Sequence, residues 1–146
     1  LYVNQSYIFA TLREAAKYTK CGRGSIQPKI TATLQVLTNR IYFNRYMPAE
    51  ISRDENELVY LDIRGVKNPN TKGRNVRYRV ALKPGWEAEF EILWDNTLVT
   101  SSQIEAVLYD GGTIVGLAYG RNIGFGRFDV ISIETISYED YKSGIA

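Results

Sequence analysis

The residue order predicts an α+β fold of ferredoxin-like type: an antiparallel sheet with two helices and a glycine-rich loop before the last strand. Three observations predict it. Helical periodicity occurs twice, once near the start and once in Thr100 to Tyr109. Between those stretches lie segments in which apolar and polar residues alternate. Finally, the run Gly116-Leu-Ala-Tyr-Gly120-Arg-Asn-Ile-Gly124-Phe-Gly126 sets four glycines within eleven residues, ahead of an alternating segment from Phe128 to Ile136.

Taken in order, Tyr2 to Lys20 reads as the first helix. Ser6 is placed to cap it, while Phe9, Leu12 and Ala16 mark an apolar stripe and Arg13, Glu14 and Lys17 face away. Gly22 stands where a C-cap glycine belongs. Lys17, Lys20, Arg23 and Lys29 make this junction basic, and a solvated helix end accounts for Lys17 and Lys20 alone. Thr31 to Phe43 reads as a strand, with Ala32, Leu34 and Val36 alternating against Thr33 and Gln35. Asn44 to Asn56, with Pro48 and Arg53-Asp54-Glu55, is a surface loop. Leu58 to Arg64 alternates again, and Gly65 to Gly73 carries the turn residues Asn68-Pro69-Asn70.

Arg74 to Leu82 and Trp86 to Trp94 form the strongest hairpin signal. A three-residue connection, Lys83-Pro84-Gly85, sets Leu82 against Trp86, Val80 against Ala88 and Tyr78 against Phe90. The same register places Arg79 opposite Glu89 and Arg77 opposite Glu91, an exposed ladder or a pair of arginines held for a polyanion. In the second helix Thr100 and Gln103 have capping-box spacing, and Val99 and Ile104 have staple spacing. Ile104, Val107 and Leu108 form its buried stripe, and Gly111-Gly112 closes it. Trp86, Phe90, Trp94, Ile104, Leu108, Leu34 and Val36 are the expected core. Ser137 to Ala146 is a polar tail expected to fray.

The bulk numbers exclude more than they assign. A chain of 146 residues is about one domain, and its net charge of +2 leaves any basic surface to local segregation. The chain contains no histidine, which removes Ser-His-Asp and Cys-His catalysis, histidine bases and HExxH metal sites together. The lone Cys21 cannot form an internal disulfide and fits a reducing, cytoplasmic setting. No apolar run approaches the ~18 residues of a membrane span. The chain begins at Leu1, as a processed product or a piece of something longer would.

Glycine concentrated between regular elements points to positive φ or to close backbone approach. Either a tight structural turn or a loop whose N–H groups and arginines cradle phosphates would use it. Two familiar phosphate motifs do not fit, and no cofactor is expected. A P-loop needs Lys-Ser/Thr where Arg127-Phe128 stand, and a dinucleotide fingerprint opens a helix rather than a strand.

The loop from Val115 to Phe128 resembles the signature loop of the RAMP superfamily of CRISPR-associated RNA-binding proteins. That loop is glycine-rich, ends in Gly-aromatic-Gly-Arg-hydrophobic, and lies between the last helix and the last strand. Ser6 to Ala16 is similar to the family's early helix: Arg13 fits, while the family's Pro and both glycines are missing. Asp62-Ile-Arg-Gly65, Arg77-Tyr-Arg79 and Trp86 to Phe90 also resemble uncharacterised phage and prophage proteins of RAMP-like build. The resemblance covers about two thirds of the chain. It implies a single RRM/RAMP-like domain over residues 1–146, lacking its first strand, because Leu1 to Val3 is too short to supply it. It also implies binding of single-stranded RNA, or single-stranded DNA, along a basic sheet or groove. Family nucleases often use a histidine, which this chain lacks, so cleavage is not implied and a non-catalytic binder is the expectation.

On that reading Gly116, Gly120, Gly124, Gly126, Arg121, Arg127, Arg13 and Arg23 meet backbone phosphates, and Tyr119 or Phe125 stacks on bases. Further protein subunits or a homo-oligomer are the expected protein partners. The competing reading is a phage-encoded protein-interaction module that engages a host or viral complex, such as an inhibitor of a defence system. A metal-dependent hydrolase using Asp62, Asp110 or Asp129 has only residue type in its favour.

Overall fold

The computed structural model describes residues 1–144. The chain is a mixed α+β protein in which every sheet among the described residues is two-stranded. Its strands are β1 (Tyr2–Asn4), β2 (Lys20–Cys21), β3 (Gly24–Ser25), β4 (Gln35–Val36), β5 (Arg40–Tyr42), β6 (Val59–Lys67), β7 (Arg74–Leu82) and β8 (Ile92–Leu93). Its α-helices are α1 (Gln5–Ala15), α2 (Gln27–Thr33), α3 (Ser101–Asp110) and α4 (Tyr138–Lys142). The chain divides into two compact units, Leu1–Gln5 with Val36–Glu91, and Ser6–Gln35 with Ile92–Ala146.

In the first unit β1 pairs antiparallel with β5, Val3 opposite Ile41. The long hairpin is β6–β7, in full register from Val59↔Leu82 to Lys67↔Arg74. This corrects the expected pairing of Arg74 to Leu82 with Trp86 to Trp94. Arg79 therefore faces Asp62 rather than Glu89, and Arg77 faces Arg64 rather than Glu91. The Trp86 stretch instead runs beside residues 37–44. Leu37 N–H donates to Glu91 O at 2.8 Å, Asn44 N–H to Glu87 O at 3.1 Å, and Phe43 bridges Ala88. The rings of Phe43 and Trp86 meet edge to face at 5.4 Å. Ile41 and Val59 are buried here, and the Arg45 guanidinium spans the 83–85 turn through the carbonyls of Lys83 and Gly85, each 3.4 Å away.

The second unit holds most of the buried apolar residues. Ile8, Leu12 and Ala15 on α1, Ile30 on α2, and Ile104, Val107 and Leu108 on α3 are all buried, as is Val99 ahead of α3. The capping box at Thr100 is present: the Thr100 hydroxyl accepts from Gln103 N–H at 3.2 Å, and Gln103 Oε1 accepts from Thr100 N–H at 2.9 Å. The expected strand from Thr31 to Phe43 begins as α2, whose Pro28 occupies the first turn, where a missing N–H costs nothing. The first helix is shorter than Tyr2 to Lys20, because residues 2–4 form β1 and Ala16–Tyr18 tighten into a 3₁₀ turn. Phe128 to Ile136 enters no strand ladder. Of the expected tail, Tyr138–Lys142 is helical behind a Ser137 cap, and Ile145 and Ala146 lie outside the described residues. The expected single core is divided: Val36, Trp86 and Phe90 are half-buried in the first unit, and Leu34, Trp94, Ile104 and Leu108 belong to the second.

Candidate nucleic-acid interface

The glycine loop lies wholly in the second unit, and most of its glycines answer to the loop's own backbone. α3 does not stop at Gly111-Gly112. It continues as one π-helical turn, Gly111–Val115, and ends at Gly116 with φ 85°. Gly120, Gly124 and Gly126 also hold positive φ, at 77°, 94° and 80°. Ala118 shares that region at φ 64°, where a side chain costs about 1–2 kcal/mol.

Three short bonds close the loop. Leu117 N–H donates to Gly126 O at 2.9 Å, Phe125 N–H to Gly120 O at 3.0 Å, and Phe128 N–H to Gly112 O at 3.2 Å. A Cβ on Gly126 would lie 2.6 Å from Leu117 N, and one on Gly116 would lie 2.9 Å from Phe125 O. One on Gly120 would lie 2.8 Å from the Phe125 ring. The close approach read from the glycine spacing is thus chain against chain at these three positions. Gly124 differs, since a Cβ there would meet nothing within 4 Å. Arg127 is likewise engaged, its Nη1 donating to Val115 O. Phe125 is half-buried against Gly120.

What remains outward is a smaller set beside α1. Tyr119 is 57 % exposed, and its hydroxyl accepts from that of Tyr7 at 3.1 Å, the rings edge to face at 5.8 Å. Thr11, one turn further along α1, donates to Gly116 O at 2.9 Å in a buried position. One turn beyond that, Glu14 accepts from Lys17 Nζ at 2.9 Å. The Lys17 hydrogen bond, then the charges of Lys17, Arg13 and Arg121, hold the Glu14 carboxyl below the usual glutamate value against a smaller opposing effect of burial. Lys17, on the 3₁₀ turn after α1, is thus ion-paired with Glu14, and the charges of Arg13 on α1 and Arg121 in the loop act on the same carboxylate.

Of the residues expected at the site, Tyr119 meets Tyr7 of α1, the charges of Arg13 and Arg121 act on Glu14 of the same helix, and Gly124 is exposed in the loop. The fold uses Gly116, Gly120, Gly126, Phe125 and Arg127 to build the loop itself. Arg23 occupies the exposed tip of the β2–β3 turn, a separate element. Tyr7, Glu14 and Lys17 were not among the expected residues. Tyr7 and Glu14 are seven apart and so share a helix face, which is the signal that points to them. The described residues contain no group of three or more acidic, Cys or His side chains able to hold a metal, and Asp62 is ion-paired with Arg64 at 2.9 Å. No described helix is long and apolar enough to cross a membrane.

Fold and site together define a mixed α+β protein with a self-bonded glycine loop that carries a cationic, tyrosine-bearing surface. No family model, no curated protein and no solved structure matches the chain.

Proposed function

We propose that this protein is a non-catalytic binder of single-stranded RNA, and that its glycine loop and α1 together form the binding surface. The observation that carries the reading is that Lys17 pairs with Glu14 while the charges of Arg13 and Arg121 act on the same carboxylate, on the α1 face whose Tyr7 meets the exposed Tyr119 ring. Surplus cations offer charge to a phosphate backbone, and an exposed ring next to them offers a stacking platform, the two elements of sequence-tolerant single-strand binding. Open space at Gly124 leaves backbone free to approach a ligand. The likeness of the loop to the RAMP signature supports kinship with that superfamily, and a ferredoxin-like ancestry within the α+β class. Binding of a short single-stranded RNA, titrated at two salt concentrations, tests it. Arg121→Ala should weaken binding across sequences about equally and shallow the log K against log salt slope by roughly one unit. Unchanged binding by Arg121→Ala defeats the proposal.

A second reading, a protein-interaction module, draws on the β1–β5 ladder. Tyr2 and Tyr42 are 49 % and 59 % exposed with rings 5.5 Å apart, and Arg40 lies 4.9 Å from the Tyr2 ring centre. Exposed tyrosine with arginine is the composition of protein interfaces. Association through it would be far less sensitive to salt than RNA binding.

A further inference from the structure

The β6–β7 hairpin concentrates charge that the whole-chain total conceals. Residues 59–82 carry six Lys and Arg against the single acid Asp62, net +5 in a chain of net +2, so the remainder is net −3. The pairing register makes the segregation sharper. Arg64 stands directly opposite Arg77, and Lys67 directly opposite Arg74. Like charges placed directly across a ladder destabilise it, so the hairpin keeps two such pairs against its own stability. Arg64 is ion-paired with Asp62 at 2.9 Å, and Arg77, Arg74 and Lys67 are exposed.

Shape adds to charge. Nine paired residues per strand give a two-stranded ribbon about 30 Å long, with its strands about 4.8 Å apart. The major groove of B-form DNA, about 12 Å wide, admits such a ribbon, whereas the narrow major groove of A-form RNA does not. Arg64 and Arg77 share one face of the ribbon and Lys67 and Arg74 the other, so long cationic side chains of both strands flank the ribbon within reach of phosphates on both walls of the groove. We infer that the β6–β7 hairpin is a second nucleic-acid site, a basic ribbon that takes the major groove of duplex DNA. It goes beyond the single-strand surface proposed above and does not depend on it.

The test measures binding of the full chain to a 20-base-pair DNA duplex, a single-stranded RNA of equal length, and phosphatidylserine vesicles, across a salt series. In the triple variant Lys67→Gln, Arg74→Gln, Arg77→Gln the duplex salt slope should become shallower by roughly three units, with single-strand binding unchanged. Arg121→Ala should do the reverse, so each site can fail alone. Arg77→Glu separates binding from folding: it gives Arg64 a cross-strand partner, so the variant should melt no lower than the parent yet bind the duplex at least about tenfold more weakly. The inference is overturned if both hairpin variants hold the duplex like the parent. It is equally overturned if the triple variant loses single-strand binding as steeply as duplex binding, or if the hairpin cations govern vesicle binding while the duplex does not bind.

Discussion

The Thr11 hydroxyl donates to the Gly116 carbonyl oxygen at 2.9 Å, and Thr11 itself is only 2 % exposed. This bond fixes α1 to the point where the π-turn ends and the glycine loop begins. Gly111, one turn earlier, packs on the same helix face: a Cβ there would lie 3.4 Å from both Leu12 and Thr11 side-chain carbons. The surface formed by Tyr7, Glu14 and Tyr119 exists because these buried contacts set the loop against α1.

Thr11→Val keeps the shape of the side chain and removes the donor. A buried carbonyl left short of a partner costs about 1–3 kcal/mol. Urea denaturation should show a loss in that range with an unchanged m-value. A loss below a few tenths of a kcal/mol would mean that water reaches Gly116 O.

The glycines separate into two kinds, and alanine distinguishes them. Gly126→Ala would drive a methyl group into the Leu117 backbone as well as strain φ 80°, so little folded protein is expected. Gly124→Ala meets open space and carries only the left-handed strain, about 1–2 kcal/mol. Circular dichroism melts of the two variants check this. Equal melting temperatures would refute the internal packing of the loop.

Much of this was legible in sequence where the signal was local. The capping box at Thr100 and Gln103 reads directly, because both partners are three residues apart and the geometry is set by the helix alone. Positive φ at Gly116, Gly120, Gly124 and Gly126 was legible for the same reason. What was not legible is which distant residue each segment meets. Arg74 to Leu82 alternates equally well against Val59 to Lys67 and against the Trp86 stretch, and a period of two cannot choose between neighbours. Ala32, Leu34 and Val36 alternate like a strand, yet Pro28 and the burial of Ile30 and Leu34 fit a short helix that turns into extended chain. At the site, glycine spacing announced close approach without saying that the approaching group was the loop itself.

Thr100→Ala removes one half of the reciprocal cap. The expected cost is about 0.5–2 kcal/mol, read as a fall in urea midpoint. Because the cap lies outside the cation cluster, RNA affinity per folded molecule should not change. A variant that folds like the parent but binds more weakly would place α3's start in the interface.

Glu14 restrains the cations around it, and removing its charge should release them. Its folded pKa is lowered, so the ionised carboxylate contributes stability above its unfolded value of about 4.3. That contribution disappears as pH falls through the lower folded value. The Glu14–Lys17 pair is exposed and three residues apart, so screening keeps it to about 0.2–0.5 kcal/mol. The stability gap between the parent and Glu14→Gln should therefore be small at pH 7 and close on acidification. Binding should respond more strongly, and in the opposite sense. With Glu14 neutral, Lys17 loses its ion-pair partner and Arg13 and Arg121 lose a nearby negative charge, so single-stranded RNA should bind more tightly. The log K against log salt slope should steepen by roughly 0.7, the increment for one further phosphate contact on a single strand. Filter binding at neutral pH measures this without the complication of acid. If Glu14→Gln binds RNA no better than the parent, the three cations are a helix-end ornament of the fold, and the binding surface must be sought elsewhere on the chain.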